Sequence, residues 1–331
     1  GALISYASIF GVIKLLKLHS LMDKPDDRKI HIVPTPSMGG IGVFLGIIPA
    51  WALGASSEMI IVLVLFSLLL LIGVLDDLKD LSAYLRLSLQ VCIGVALFIF
   101  DFKIDSLHGI FGVTELSSTI SFIITVFFTV GIINAFNLID GINGLAGGIV
   151  AINSFVFGTI FYLNAELEYA TLSFVLGSSL FGILLHNFRK KANIFLGDSG
   201  SLVLGGAMAI FSLKVFGLES SNQILNINLV IGILLIPVLD VVRVVIVRLL
   251  NGRKPFDADN NHIHHKLLKI TKSHLKASLI IHSITLVSVL IVPLLLKNNE
   301  KTLAKTGKGY SAYQARCGAC HGSDGKGNDA F

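Results

Sequence analysis

The sequence predicts an all-α polytopic membrane protein, and three observations carry that prediction. Of its 331 residues, 53% are hydrophobic and only 14% charged, whereas a soluble domain carries about a quarter charged residues. Several apolar runs approach the roughly 20 residues needed to cross a bilayer. The cations between those runs gather on alternate connections, as they do in chains that cross a membrane repeatedly.

Ten runs fit membrane helices, at 2–18, 39–55, 58–75, 85–100, 119–139, 144–163, 170–186, 200–217, 228–250 and 276–296. Each must be helical, because hydrocarbon offers the backbone no other partner. Residues 1–297 form one membrane unit and 298–331 a tail outside it. The odd-numbered connections hold Lys24, Arg28, Lys79, Arg86, Arg189, Arg253, Lys254, Lys266 and Lys269, while Lys103 is the clear loop cation of the even side. The odd side is therefore expected to be cytoplasmic. The three cysteines suggest no disulfide framework, and Cys92, inside an apolar run, is expected to be a small buried hydrophobe.

Every unusual polar cluster falls on that same side. The central one is NAFNLIDGINGLAGG, where Asn134, Asn137, Asp140 and Asn143 recur every third residue. On a helix this spacing makes one polar stripe. At a membrane surface the stripe needs water, a ligand or its own members as partners.

DDLKD places Asp76 and Asp77 at the end of an unbroken apolar run. Paired carboxylates there suit Mg²⁺ held together with phosphate oxygens, or simply a solvated terminus beside Lys79. FLGDSGS puts a Gly-Asp-Ser-Gly turn just before an apolar helix. Free N–H groups at such a start suit a phosphate, with Asp198 near its metal; a serine N-cap is the plainer reading. Phe195 can stack on a base or pack against lipid. HIHH supplies His262, His264 and His265 in a basic loop. Their spacing matches no common zinc pattern, so phosphate contact or a solvated loop remains. Asp240 and Arg243, at i and i+3 inside the ninth run, read as a structural pair. His108, His274 and His282 have no partner legible in sequence. Acidic groups, a phosphate-type helix start and a basic histidine loop on one face suggest phosphoryl transfer between a soluble donor and a membrane lipid.

At these residues the chain resembles the polyprenyl-phosphate N-acetylhexosamine-1-phosphate transferases. The resemblance runs from about Lys24 to Lys269, on PTPSMGG, GVLDDLKD, NAFNLIDGINGL, IFLGDSGS and NHIHHKLL in that order. It implies transfer of a sugar 1-phosphate from a UDP-sugar to undecaprenyl phosphate with release of UMP. It further implies Mg²⁺, with Mn²⁺ as a substitute, and a bacterial inner membrane with a cytoplasmic active site. Asp198 then looks like the metal ligand, and Asp76 and Asp77 like the pair that positions or deprotonates the lipid phosphate. Asp140 and Asn137 match active-site polar positions, Phe195 the residue that stacks on uracil, and His262, His264 and His265 the last loop's histidine motif. The HIHH form, preceded by PFDADN, looks like the branch using UDP-N-acetylglucosamine. Two positions depart from the pattern. Asn143 stands where most members carry a second aspartate, and Asn260 replaces a common arginine.

The tail resembles the opening of a class I cytochrome c, with Cys317, Cys320 and His321 as a C-x-x-C-H haem attachment motif. No methionine follows His321, so haem c is an expectation on the motif alone and the tail is expected to take no part in sugar-phosphate transfer. The expected partners are a UDP-sugar, undecaprenyl phosphate, the lipid bilayer and a second copy in a homodimer, with no nucleic acid. Two other readings compete. An ion-coupled transporter would bury acids near the midplane rather than at one surface. A membrane-anchored c-type cytochrome would require a complete haem domain.

Overall fold

The computed structural model describes residues 1–23, 34–52, 55–108, 113–189, 191–218, 220, 222–254 and 261–306. Among the described residues the chain is all-α apart from one short ladder and an isolated bridge between Ser106 and Glu115. Its elements are α1 (Ala2–Leu18), β1 (Met22–Asp23), β2 (Thr35–Pro36), α2 (Gly39–Ile47), α3 (Pro49–Ala52), α4 (Ser57–Lys79), α5 (Ala83–Ile99) and α6 (Ser118–Ile139), then α7 (Leu145–Leu163), α8 (Leu167–Asn187), α9 (Asp198–Phe216), α10 (Gln223–Leu250), α11 (Ile263–Thr271) and α12 (His274–Thr306). β1 and β2 pair antiparallel, Met22 opposite Pro36.

All ten predicted runs are helical. Among the described residues seven helices are long and apolar enough to cross a membrane: α4, α6, α7, α8, α9, α10 and the His274–Leu296 part of α12. The chain is thus a multi-pass membrane protein. The other three runs are shorter. The second is interrupted where Pro49 opens α3, a position at which its missing N–H costs nothing. At 17 residues each, α1 and α5 span about 26 Å, somewhat less than the roughly 30 Å hydrocarbon layer. The last helix continues to Thr306, so the boundary drawn at 297 falls within a continuous helix. The haem-motif residues Cys317, Cys320 and His321 lie outside the described residues, as does Asn260.

The bundle is organised around α9, which is buried along nearly all its length. Its run of Gly, Ala and Ser lets neighbouring backbones come close, as small residues do between membrane helices. A β-carbon on Gly205 would lie 2.8 Å from the Cα of Ile133 on α6. On the adjoining face α4 packs Leu69 against Gly206. The relative direction of two helices can be read from their contacts. Tyr6 of α1 stacks on His186 of α8 with ring centroids 4.8 Å apart, while Gly1 lies against Ser179, about two turns earlier on α8. The first and seventh runs are therefore parallel. Cys92 corrects an expectation: it is exposed on the outer side of α5 rather than buried.

Candidate active site

The site is assembled around the start of α9. Gly197 precedes the helix with φ +75°, in the left-handed region that a β-carbon disfavours. Its turn is clamped by the PTPSMGG segment: Phe195 N–H donates to Pro36 O at 2.8 Å, Gly39 N–H to Phe195 O at 2.9 Å, and Gly40 N–H to Leu196 O at 3.0 Å. Gly40 and Gly73 touch the backbone of residues 198–200 so closely that a side chain at either position would collide with it. Phe195 is half-buried beside this clamp.

The helix start is not left open for a phosphate. Asp77 of α4 accepts from the N–H groups of Asp198 and Ser199, at 3.0 Å each, and from the Ser37 hydroxyl at 3.1 Å. Two of the donors that the sequence reserves for a ligand are thus satisfied by a carboxylate from another helix. Asp76 is engaged too. It is almost fully buried, accepts from Leu81 N–H at 2.9 Å, and forms an ion pair with the Arg86 guanidinium at 2.7 Å. Arg86, at the start of α5, also lies 4.0 Å from Asp198. The sequence shows it as one loop cation among many; only its place ten residues after Asp76, on the next helix, could have singled it out.

The polar stripe divides in two. Asn134 and Asn137 belong to α6, but the helix ends at Ile139, Asp140 is its C-terminal cap and Asn143 sits in the turn beyond. Asn134 donates to Gln90 of α5. Asn137 donates to Asp198 and, at 2.8 Å, to the Ser201 hydroxyl. Asn143 meets α12 through its backbone, its N–H donating to His274 Nδ1 at 3.3 Å and its carbonyl accepting from Ser278 at 2.9 Å. Among the described residues no hydrogen bond engages the Asp140 carboxyl. Burial, with Asp198 and then Asp77 nearby, pushes that carboxyl well above the usual carboxylate range.

The histidine loop folds into α11, whose first turn is anchored by the pair read as structural. Asp240 Oδ2 bonds His262 Nδ1 at 2.8 Å, and Oδ1 accepts from Ile263 N–H at 2.9 Å and from Arg243 at 2.8 Å. His262 stacks nearly parallel on His264, centroids 5.6 Å apart, and His264 leans on His265 at 4.3 Å. The fully buried His264 ring abuts Gly141, the residue after Asp140. Burial, with His265 and His262 beside it, pulls His264 down to about 3, so it is neutral at pH 7. His282 reaches the same loop, its Nε2 3.2 Å from Leu145 O. His274 and His282 therefore hold the central loop, a role that sequence spacing does not reveal.

Asp76, Asp77, Asn137, Asp140, Asp198, Arg86 and the histidine helix thus converge at one end of the bundle. Among the described residues no group of three histidine, cysteine or acidic side chains is already placed to hold a metal. Two carboxylates completed by substrate oxygens are the usual arrangement for Mg²⁺. Asp140, raised first by burial and then by Asp198 and Asp77 beside it, is a carboxyl whose crowding a divalent cation would relieve.

The chain is similar to known proteins. The model of glycosyl transferase family 4 matches residues 59–216, from α4 through α9. Decaprenyl-phosphate N-acetylglucosaminephosphotransferase of Mycobacterium tuberculosis (strain ATCC 25618 / H37Rv) is 32% identical over 313 residues, covering 85% of this chain and 77% of the relative. Undecaprenyl-phosphate alpha-N-acetylglucosaminyl 1-phosphate transferase of Escherichia coli (strain K12) is 29% identical over 270 residues, covering 79% and 72%. The chain belongs to glycosyl transferase family 4, the polyprenyl-phosphate N-acetylhexosamine-1-phosphate transferases.

Proposed function

We propose that this protein transfers N-acetylglucosamine 1-phosphate from UDP-N-acetylglucosamine to undecaprenyl phosphate, releasing UMP, for cell-envelope polysaccharide synthesis. The names of its relatives support the substrates. The observation that carries the reading is the convergence of four aspartates, one arginine and a histidine helix at one end of an apolar bundle, where a lipid headgroup and a soluble nucleotide can meet. The cation bias supports a cytoplasmic orientation of that end, the bacterial relatives support an inner membrane, and the parallel run of α1 and α8 is in keeping with an odd number of crossings between them.

In the reaction a lipid phosphate oxygen attacks the sugar-bearing phosphorus of the UDP-sugar. The bond from that phosphorus to the bridging oxygen breaks, and UMP leaves with the electron pair. The second ionisation of a phosphate monoester lies near pH 6, so the acceptor is largely dianionic at pH 7 and needs positive charge more than a strong base. Arg86 supplies it beside the carboxylates, held in place by buried Asp76. Asp77 fixes the start of α9 and so orients Asp198. Asp198 and Asp140 would hold Mg²⁺, which when bound would supply positive charge to offset the charge that builds on the phosphoryl oxygens. Phe195 stands beside the same turn to stack on uracil, and His262, His264 and His265 close the site next to Gly141.

Membranes containing the protein, supplied with labelled UDP-N-acetylglucosamine, undecaprenyl phosphate and Mg²⁺, should form a lipid-linked sugar and UMP in equal amounts. No product with this donor, but product with another UDP-N-acetylhexosamine, would overturn the sugar assignment. Native mass measurement on the purified protein tests the expected homodimer.

A further inference from the structure

We infer that Asp240 is a positioning residue for the site, acting through His262: its carboxylate fixes the imidazole with the proton on Nδ1 and leaves Nε2 as an acceptor. In sequence Asp240 reads as the partner of Arg243. In the structure it binds three groups: Arg243 on its own helix, and His262 and Ile263 at the start of α11.

Asp240 is nearly fully buried on α10, two turns or more inside the helix end. Its two oxygens are used differently. Oδ1 takes two donors, the Ile263 N–H at 2.9 Å and the Arg243 guanidinium at 2.8 Å. Oδ2 faces His262 Nδ1 at 2.8 Å. A carboxylate only accepts, so the ring nitrogen facing it must carry the proton. In the neutral imidazole the lone pair then lies on Nε2, at the opposite edge of the ring. Arg243 also reaches the carbonyl of Asn261, so the segment entering α11 is tied to α10 on both sides of His262. His262 is almost buried and stacks on His264, which touches Gly141 next to Asp140. The ring therefore cannot turn without breaking both the stack and the bond to Asp240.

The two unlike oxygens make Asp240→Asn an informative change. Two donors converge on the Oδ1 side, so the amide oxygen must go there. The amide NH₂ then faces His262 Nδ1, which has to become the acceptor, and the proton moves to Nε2. The variant keeps the shape of the site but inverts which edge of His262 donates. An aspartate-to-asparagine change of this kind, with the wrong histidine tautomer, is costly in other enzymes.

Nitrogen-15 spectra of histidine-labelled protein in detergent test the inference directly, independently of which sugar is used. The His262 signals, assigned by their loss in His262→Gln, should show protonated Nδ1 and unprotonated Nε2 in the parent protein and the reverse in Asp240→Asn. The kinetic arm rests on the transferase reading. Asp240→Asn should lower kcat at least about a hundredfold with KM for the UDP-sugar changed less than about threefold, the pattern of an interaction made in the transition state. These losses would come from the inverted His262 edge, as with a wrong histidine tautomer elsewhere; in a His262→Gln background the same change should therefore have little further effect, and Asp240→Glu should recover part of kcat. A parent protein with Nε2 protonated would overturn the inference. So would equal kcat losses from Asp240→Asn with and without His262. If the parent makes no lipid-linked sugar while the spectra are as expected, the transferase reading fails and the positioning of His262 stands.

Discussion

Asp77, on α4, caps α9: its carboxylate accepts from the N–H groups of Asp198 and Ser199, 121 and 122 residues further along the chain. The residue preceding α9 is Gly197, which has no side chain to cap with. A carboxylate at this end also meets the positive pole of the helix. The contact joins two membrane helices at the point where the chemistry is placed.

Removing that cap should loosen both helices. Asp77→Ala is expected to lower stability by about 1–2 kcal/mol, the range of a lost N-cap, and to lower turnover at least about a hundredfold by misplacing Asp198. Thermal unfolding in detergent and the lipid-linked sugar assay check the two effects separately. An unchanged melting temperature would show that the cap contributes nothing to the fold.

Arg86 is expected to matter twice, to stability through buried Asp76 and to turnover through its charge. Arg86→Gln strands a buried carboxylate, which is costly, and should slow transfer at least about tenfold. Adding Asp76→Asn should restore the melting temperature without restoring turnover. Recovery of both would reduce Arg86 to a structural partner.

Asp198→Ala should abolish Mg²⁺-dependent transfer, a loss of about a hundredfold or more for a central electrostatic group. Titrating Mg²⁺ and Mn²⁺ into parent and variant membranes checks it. Asn143→Asp should instead stay active, because the turn is held by the Asn143 backbone through His274 and Ser278 rather than by its side chain. A folded but inactive Asp variant would show that the amide itself is needed.

His264 sets a pH dependence of stability. Its folded value is about 3, below the ordinary 6.5 of the unfolded chain. Between those values the unfolded state binds the extra proton, so stability is full above about pH 6.5 and falls as pH drops toward 3. Melting curves between pH 7.5 and pH 5 should show a steeper decline for the parent than for His264→Gln. Parallel curves would assign the decline to other groups.

The sequence alone determined that this is a multi-pass helical membrane protein, because runs of 17 or more apolar residues have no other stable form in lipid. It also determined which motifs face one side of the membrane, since GVLDDLKD, NAFNLIDGINGL, IFLGDSGS and NHIHHKLL each border an odd-numbered connection. Tertiary structure decided which partner each polar group takes. Asp77 goes to the backbone of α9, Asp76 to Arg86, Asn134 to Gln90, and Asp240 to His262. None of these pairs is set by local spacing; the i, i+3 rule finds Asp240 with Arg243, which is only one of the three partners Asp240 takes. The reason is physical: helix periodicity fixes which side chains share a face. Which face meets which depends on close approaches such as Gly40 and Gly73 against the start of α9, and those exist only once the bundle has packed.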